Sequence, residues 1–400
     1  MTEQAKVPAI RFAGFTDPWE QRKLSEVATF GGGHTPPMAD PDNYEDGYVL
    51  WVTSQDVKSN YLDRTTTQIT EKGAKELTLY PAGSLVMVTR SGILRHTLPV
   101  AELRKPSTVN QDIRVILPQG ECCGEWLLQF FISHNKELLL EFGKTGTTVE
   151  SVDFGKIKDM LLYMPSTVEQ QQIGDFFAKL DSLITLHQRK YDKLVIFKKS
   201  MLEKMFPKDG ESVPEIRFAG FTDPWEQRKA SEVFQIVDDR GHPTLPVLSA
   251  TQNQGMIYRD DSGRYIGHDE SNEIGYKRVL PGDFVVHLRS FQGGFAHSQY
   301  EGITSPAYTV FRAKEPTSHS DRFWKHWFMS EHFIAGLSTV TYGIRDGRSI
   351  SVDEFMNTFL AFPAVEEQAA ISRLFDYLDD LITLHQRKRL SIRQRSPVWS

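Results

Sequence analysis

A chain of 400 residues is too long for one ordinary domain and fits two domains with connecting segments. Its 40% hydrophobic and 24% charged residues are typical of a soluble globular protein, and its net charge of −6 argues against indiscriminate coating of nucleic acid. No apolar run approaches the roughly 18 residues that span a bilayer, and the first residues lack the apolar core of a signal peptide. The two cysteines, Cys122 and Cys123, are adjacent, which fits a reducing cytoplasm. We therefore expect a cytoplasmic protein with no membrane association.

Two blocks of this sequence occur twice. The first, VPAIRFAGFTDPWEQRK at 7–23, returns at 213–229 with Glu215 in place of Ala9. The second, LDSLITLHQRK at 180–190, returns as LDDLITLHQRK at 378–388. The stretches between the blocks barely resemble each other, and a period of about 200 residues far exceeds the roughly 20–50 residues of solenoid repeats. The pattern indicates a domain-scale duplication in which one scaffold carries two different variable regions.

Each variable region is predicted to mix strands and helices, so the fold class is α+β. Short runs of β-branched and aromatic residues between turn residues predict strands at 48–53, 84–89, 113–118, 283–290 and 308–313. Amphipathic periodicity predicts helices over 125–142 and 321–337.

A long helix is predicted at the end of each copy. In the first copy, apolar residues recur in steps of three and four from Ile173 to Met205, and Lys198 alone interrupts them. A period of 3.5 residues kept over four to five heptads is typical of a coiled coil, and such a helix would be roughly 55 Å long. We expect the two helices to pair antiparallel, because the chain crosses the second variable region between them. The alternative is that each helix packs only on its own domain.

The residues predicted to form this coiled-coil and partner interface share the 3.5-residue period. They are Ile173, Phe177, Leu180, Ile184, His187, Tyr191, Leu194, Ile371, Phe375, Leu378, Ile382 and His385.

The sequence thus predicts two mixed α/β domains in tandem, related by a pseudo-two-fold repeat and separated by long helices that form an antiparallel coiled coil. The expected segments are a first variable domain (1–166), a first helix (167–207), a second variable domain (208–364), a shortened second helix (365–393) and a divergent tail (394–400).

A search for catalytic motifs favours binding over catalysis. The chain has no phosphate-binding G-x-x-x-x-G-K-[ST] loop and no Asn-Pro-Pro-aromatic tetrapeptide of an amino-methyltransferase. His326 and His332 lack further ligands at usable spacing and are more typical of packed histidines than of a zinc site. A loose nuclease-like pattern, Asp42 with Asp56 and Lys58, arises easily by chance. We expect no catalytic residue and no metal site.

An Ile-Arg-Phe block with a tryptophan, a variable region and a Pro-x-x-x-Glu-Gln helix start occur in this order twice. The first unit supplies Ile10, Arg11, Phe12, Phe15, Trp19, Gly32, Thr35, Pro36, Trp51, Pro165, Glu169, Gln170, Ile173, Leu180 and Asp181. The second supplies Ile216, Arg217, Phe218, Phe221, Trp225, Pro363, Glu367, Gln368, Ile371, Leu378 and Asp379. This doubled order resembles the specificity subunit of type I restriction–modification systems over nearly the whole chain, to about residue 388.

The resemblance implies that the variable domains are target-recognition domains, each reading one half of a split DNA sequence. It implies that the helices fix the gap between half-sites and bind two modification subunits, which use S-adenosylmethionine to methylate adenine. Restriction subunits would carry the ATP- and Mg²⁺-dependent chemistry. The chain would then be a non-catalytic subunit with no cofactor of its own, and its partners would be double-stranded DNA and these subunits.

Arginine, asparagine and glutamine side chains on glycine-containing loops are suited to reading base edges. In the first domain these are Arg90, Ser91 and Arg95 around Gly92, with Asn110 and Gln111 in a polar turn. In the second they are Arg289, Ser290, Gln292, Arg345 and Arg348. The alternative for each is a solvated side chain or a phosphate contact, which positions the protein without specifying a sequence.

Two other functions stay open at the level of sequence: a self-sufficient nuclease or methylase built on such recognition domains, and a coiled-coil scaffold without a DNA role. Trp19 and Trp225 lie in the shared block and cannot discriminate two half-sites, so we expect them to stabilise the scaffold. The shortened second helix predicts weaker assembly with a modification subunit than a full-length helix would give.

Overall fold

The computed structural model describes residues 8, 10–145, 149–208, 210–251, 254–262, 270–286, 294–337, 341–342, 349–350 and 352–395. The chain divides into two compact units. Unit 1 comprises residues 1–186 and 389–400, and unit 2 comprises residues 187–388. The long helix α6 (Thr167–Lys204) begins in unit 1 and ends in unit 2.

Unit 1 is a mixture of strands and short helices ahead of α6. Its elements are β1 (Glu20–Lys23), α1 (Leu24–Val27), β2 (Ala28–Gly32), β3 (Val49–Val52), β4 (Tyr61–Leu62), β5 (Gln68–Ile69), α2 (Glu71–Ala74), β6 (Leu85–Val88), β7 (Val100–Leu103), β8 (Thr108–Val109), β9 (Ile113–Pro118), α3 (Gly124–Ser133), α4 (Asn135–Phe142), β10 (Gly143–Lys144), β11 (Ser151–Val152), α5 (Phe154–Asp159) and β12 (Leu161–Met164). Two 3₁₀ turns lie at Pro41–Asn43 and Gly92–Arg95.

The main sheet of unit 1 has the order β2-β9-β6-β7-β4, and a smaller sheet has the order β5-β3-β8. The central strand β6 is buried on both faces. Leu85 and Met87 point into one core cluster, whereas Val86 and Val88 point into the other. Because successive side chains of a strand face opposite sides, a strand between two cores needs an uninterrupted apolar run, and residues 85–88 provide it.

Unit 2 repeats this organisation with different elements. They are β13 (Glu226–Lys229), α7 (Ala230–Val233), β14 (Phe234–Val237), β15 (Leu248–Thr251), β16 (Gly255–Tyr258), β17 (Lys277–Val279), β18 (Phe284–Val286), β19 (Phe295–His297), β20 (Gly302–Thr304), β21 (Thr309–Ala313), α8 (Asp321–Trp327), α9 (Glu331–Leu337), β22 (Thr341–Tyr342), β23 (Ser349–Ile350), α10 (Val352–Asn357), β24 (Phe359–Phe362) and α11 (Val365–Arg395). Helix α11 begins in unit 2, and its residues from 389 onward belong to unit 1. One sheet of unit 2 has the order β14-β21-β18-β19, and 3₁₀ turns lie at Arg259–Ser262 and Glu270–Gly275.

The predicted strands at 48–53, 84–89, 113–118 and 308–313 are confirmed as β3, β6, β9 and β21. The strand predicted at 283–290 corresponds to β18 in its described part, and residues 287–290 lie outside the described residues.

Each variable region was predicted to contain one continuous helix, and this prediction was wrong because each segment forms two helices. The helix predicted over 125–142 breaks at His134, where the Asn135 amide oxygen accepts hydrogen bonds from Leu98 N and Thr97 Oγ1, each at 2.9 Å. The helix predicted over 321–337 breaks before Ser330, whose hydroxyl donates to Trp327 O at 2.7 Å and accepts from Phe333 N at 3.3 Å. Ser330 therefore caps the start of α9, whereas Asn135, the first residue of α4, ties that helix start to the segment before β7.

Each end of α6 contributes to a hydrophobic core. Ile173 and Phe177 are buried in the larger core of unit 1. At the other end, Leu202 is buried in the core of unit 2, together with Phe206 just beyond the helix. Among the described residues, no helix is both long and apolar enough to cross a lipid bilayer.

Candidate nucleic-acid interface

The shared sequence block of unit 1 is held by one buried carboxylate. Strand β1 pairs antiparallel with β12, so the start of the unit lies beside its end. Just after β12, α6 begins and places Glu169, whose side chain is fully buried. Its carboxylate accepts two hydrogen bonds from the Arg11 guanidinium, at 2.6 and 2.7 Å, and one from Trp19 Nε1 at 3.2 Å. A bidentate pair of this kind fixes both distance and orientation.

Unit 2 contains the same arrangement. Strand β13 pairs antiparallel with β24, and α11 begins just after β24. The Glu367 carboxylate accepts two hydrogen bonds from Arg217, each at 2.7 Å, and one from Trp225 Nε1 at 3.0 Å. The hydrogen bonds to the carboxylate raise the pKa of Arg217, and Glu169 raises the pKa of Arg11 in the same way, although burial opposes both shifts.

The glutamine that follows each of these glutamates connects the helix to the variable region. Gln170 Nε2 donates to Pro165 O at 2.8 Å, and its Oε1 accepts from Cys123 N at the start of α3. Gln368 makes the equivalent bonds, donating to Pro363 O at 2.8 Å and accepting from Ser320 N at the start of α8. The Pro-x-x-x-Glu-Gln pattern therefore has a physical role, since each polar residue joins two distant segments.

We call the residues that repeat in this way the frame and the residues between them the insert. The frame of unit 1 is 10–23 with 161–170, and its insert is 24–160. The frame of unit 2 is 216–229 with 359–368, and its insert is 230–358. The two frames make matching contacts, whereas the two inserts have different strand orders.

The candidate DNA-contacting residues of unit 1 lie on adjoining loops. Thr89 joins these loops, because its N–H donates to Asp112 O at 2.8 Å and its carbonyl accepts from Val152 N at 3.0 Å. The loop after β6 therefore lies beside the turn before β9. Gln111 in that turn accepts a hydrogen bond from Thr35 Oγ1 at 2.6 Å, which adds the glycine-rich loop after β2.

Individual candidates differ in how accessible they are. Arg90 and Gln111 are exposed, and Ser91 caps the 3₁₀ turn at Gly92–Arg95. Arg95 is exposed and pairs with Glu150, whose pKa this hydrogen bond lowers. Asn110 is buried, with its amide oxygen accepting from Asp112 N at 3.1 Å, so it shapes the turn and is poorly placed to reach a ligand.

The glycine-rich loop has a steric requirement of its own. A Cβ at Gly33 would lie 1.8 Å from Val109 O, so only glycine permits this loop to approach the turn that carries Asn110 and Gln111. GGGH at 31–34 thus serves loop packing. The candidates of unit 2, Arg289, Ser290, Gln292, Arg345 and Arg348, lie outside the described residues.

The predicted interface residues of the long helices pack mainly on their own units. Leu180 packs against the core of unit 1, whereas Ile371, Phe375 and Leu378 are buried in the core of unit 2. Ile184, Tyr191 and Ile382 are half-buried. Within unit 2, however, the second half of α6 also contacts α11. Leu194 packs against the core that contains α11, and His187 Nδ1 lies 2.9 Å from His385 Nδ1.

Among the described residues, His326, Asp376 and Asp379 form a group with ligand-type atoms within 4.8 Å of one another. The carboxylate of Asp379 in this group already pairs with lysine side chains. Lys198 Nζ lies 2.5 Å from Asp379 Oδ1, and Lys325 Nζ lies 3.5 Å from Asp379 Oδ2. Its chemistry is therefore that of an ion-pair network.

The loose acidic pattern of unit 1 does not assemble a metal site either. Asp42 pairs with Lys72 at 2.9 Å. The Asp56 carboxylate accepts hydrogen bonds from Thr53 N at 2.8 Å and from Thr66 N at 2.7 Å, so it stabilises a turn.

Comparison with known proteins finds similarity to type I specificity subunits. Residues 16–195 match a family described as type I restriction modification DNA specificity domain. The type I restriction enzyme EcoR124I/EcoR124II specificity subunit of Escherichia coli is 29% identical over 186 residues. The MjaVIII specificity subunit of Methanocaldococcus jannaschii is 22% identical over 399 residues, which cover 94% of this chain and 89% of that protein. Both relatives are thus type I specificity subunits, and the matched family region lies in the first half of this chain.

The extent of the similarity to type I specificity subunits varies. The alignment with the E. coli relative covers 43% of this chain and 46% of that protein, which is less than half of either. A crystal structure of the type I S subunit from M. genitalium matches 96% of both chains with a TM-score of 0.56 and 9% sequence identity. At that identity the likeness shows the fold alone.

Sequence reasoning missed the roles of Glu169 and Glu367 as the acceptors that hold the shared blocks. The signal was present, because an arginine, a tryptophan and a glutamate recur at matched positions in both copies. It also missed the pairing of Lys198 with Asp379. The lysine was visible only as an interruption of an apolar pattern, and its partner lies 181 residues away.

Proposed function

We propose that this chain is the DNA-specificity subunit of a type I restriction–modification complex. Each insert reads one half-site of a bipartite DNA target, and the chain itself carries out no catalysis. Adenine methylation and restriction are performed by partner subunits that this chain directs to the target.

The observation that carries the proposal is the repeated frame around unlike inserts. Arg11, Trp19 and Glu169 make the same contacts as Arg217, Trp225 and Glu367. Two domains that are held by the same frame contacts but carry different loops can each recognise a different part of one target. Within the insert of unit 1, the exposed Arg90 and Gln111 on adjoining loops supply donors and acceptors of the kind that read base edges.

We further propose that the two long helices form the antiparallel coiled coil that separates the half-sites and binds two modification subunits. The contact between His187 and His385 supports the pairing, since the two residues occupy the same position in the repeated LITLHQRK sequence. S-adenosylmethionine, ATP and Mg²⁺ are assigned to the modification and restriction subunits, and none to this chain.

Selection from random DNA duplexes with the full chain tests the proposal. We expect enrichment of one sequence with two specified parts and an unspecified spacer, and affinity that falls steeply as salt rises because phosphate contacts release counterions. Enrichment of a single undivided site, or of no sequence, would contradict it. A chain with Arg90→Ala serves as the comparison, because we expect weaker specification in one half of the site only.

A further inference from the structure

The ion pair between Lys198 and Asp379 joins α6 to α11. Lys198 is one turn from Leu194 and one turn from Met201, and both of these pack against the core of unit 2. Its Nζ lies 2.5 Å from Asp379 Oδ1, and the lysine side chain is only 12% exposed. Lysine is rarely buried to this extent without a partner, so this position constrains how α6 packs on α11.

Other charged residues, on α8 and α11, surround this ion pair. From α8, Lys325 Nζ lies 3.5 Å from Asp379 Oδ2, and His326 Nε2 lies 3.1 Å from Asp376 Oδ1. Arg322 pairs with the other oxygen of Asp376 at 2.9 Å. Although burial opposes it, the hydrogen bonds from His326 and Arg322 hold the pKa of Asp376 well below its ordinary value. Asp376 is therefore charged at neutral pH and is held by α8, whereas Asp379 is the carboxylate that Lys198 contacts.

The equivalent aspartate of unit 1 has different partners. Asp181 accepts hydrogen bonds from Asn60 Nδ2 at 2.8 Å and from Gln129 Nε2 at 3.3 Å, both of which belong to the insert of the same unit. Asp181 thus contacts its own insert, whereas Asp379 contacts both its insert, through Lys325, and α6, through Lys198. The contact with α6 distinguishes Asp379 from its equivalent in unit 1.

A largely buried charged residue in a helix contact can select one register, because other registers leave its charge buried without a partner. We propose that Lys198, through Asp379, is the positioning residue that fixes the register of α6 on α11 and so limits the spacer length accepted between half-sites. The proposal rests on the function proposed above. Because α6 begins in unit 1, a slip of one turn shifts the helix by about 5.4 Å, which exceeds the roughly 3.4 Å rise of one base pair.

The test measures binding of the full chain to duplexes that carry both selected half-sites with the spacer shortened or lengthened one base pair at a time. We expect the wild-type chain to prefer one spacer by at least about tenfold, which corresponds to about 1.4 kcal/mol. In Lys198→Met the preference should fall to about threefold or less, because methionine fills the space without needing a partner. Asp379 keeps Lys325 nearby in this variant.

Two further variants distinguish an effect on the register of α6 from a general effect on folding. Lys199→Met is the matched control, because Lys199 is the next residue but is 63% exposed in a surface pair with Glu331, and it should keep the wild-type preference. Exchanging the charges, with Lys198→Asp and Asp379→Lys together, should restore the preference that each single change reduces. The ratio between spacers is measured within each variant, so a smaller folded fraction cancels.

An unchanged spacer preference in Lys198→Met and in both single charge changes would overturn the inference while leaving bipartite recognition intact. Failure of the wild-type chain to select any two-part site would instead overturn the proposed function, so the two failures are distinguishable. Loss of preference in Lys199→Met to the same degree as in Lys198→Met would also contradict the inference.

Discussion

At the scale of single residues, the frame depends on two buried glutamates. Glu169 and Glu367 are 0% and 1% exposed and each accepts hydrogen bonds from an arginine and a tryptophan. The sequence predicted scaffold roles for Trp19 and Trp225 but could not name their acceptors. The partners are about 150 residues apart in the chain, and only the strand pairs of each frame bring them together.

We expect Glu367→Gln to destabilise the frame of unit 2 by about 3 kcal/mol, since it leaves the Arg217 guanidinium buried without a charged partner. Amide hydrogen exchange of β13 and β24 measures the loss directly. The matched control is Glu226→Gln, which removes the exposed partner of Arg228 and should leave exchange unchanged. Equal protection in both variants would contradict this role of Glu367.

A second prediction concerns the pH dependence of unit 2. Burial lowers the pKa of His319 to about 4, against the smaller opposing effect of Asp321, while the unfolded chain retains a pKa of about 6.5. The unfolded chain therefore binds this proton at higher pH, and the free energy of unfolding falls as the pH decreases from about 6.5 to about 4. The difference corresponds to about 3 kcal/mol, and His326, whose pKa is also lowered, acts in the same direction.

Urea unfolding of wild type and His319→Gln across this pH range checks the assignment. Glutamine can still accept the hydrogen bond that Trp324 Nε1 donates to His319 at 2.9 Å, but it does not titrate. We expect a flatter profile for the variant between pH 6.5 and 4. Parallel profiles would show that His319 is not the titrating group.

At the scale of elements, the sequence predicted strands and long helices better than it predicted helix breaks. A short, uninterrupted apolar run such as residues 85–88 is best buried as a strand between two hydrophobic cores, so it can be predicted from the sequence. The breaks at His134 and before Ser330 depend on side-chain hydrogen bonds, and Asn135 finds its partners at Leu98 and Thr97. Hydrophobic periodicity reports which residues face the core and cannot reveal a helix break that depends on such hydrogen bonds. The predicted domain boundaries and the DNA-contacting residues stay predictions.

The attachment of α6 to unit 2 can be tested with two phenylalanines. Phe206 is 1% exposed, and its ring lies 5.2 Å from that of Trp327 and 5.8 Å from that of Phe375. We expect Phe206→Ala to lower the free energy of unfolding of unit 2 by about 3–5 kcal/mol. The control is Phe197→Ala on α6, where the side chain is 46% exposed and little change is expected. Similar losses in thermal or urea unfolding would contradict the packing described.

At the scale of the whole molecule, the duplication is the feature that can be read most directly from the sequence. The repeated blocks were sufficient to predict mixed α and β structure and a similarity to type I specificity subunits. The sequence could not predict which loop residues reach DNA, because that depends on loops meeting at one end of a sheet, as those of Arg90 and Gln111 do. Because the two frames match, we expect an insert to keep its DNA specificity when it is transferred from one frame to the other.

The most direct test of this claim is a chain whose second insert (230–358) is replaced by the first (24–160). Ser372→Gly accompanies the exchange, because a Cβ at the equivalent Gly174 would lie 3.1 Å from the Glu125 side chain of the first insert. The measurement is selection of this chain against random duplexes. The account predicts a target that contains the first half-site twice and lacks the second. A folded chimaera that selects the wild-type target, or a target without the repeated half-site, would contradict it.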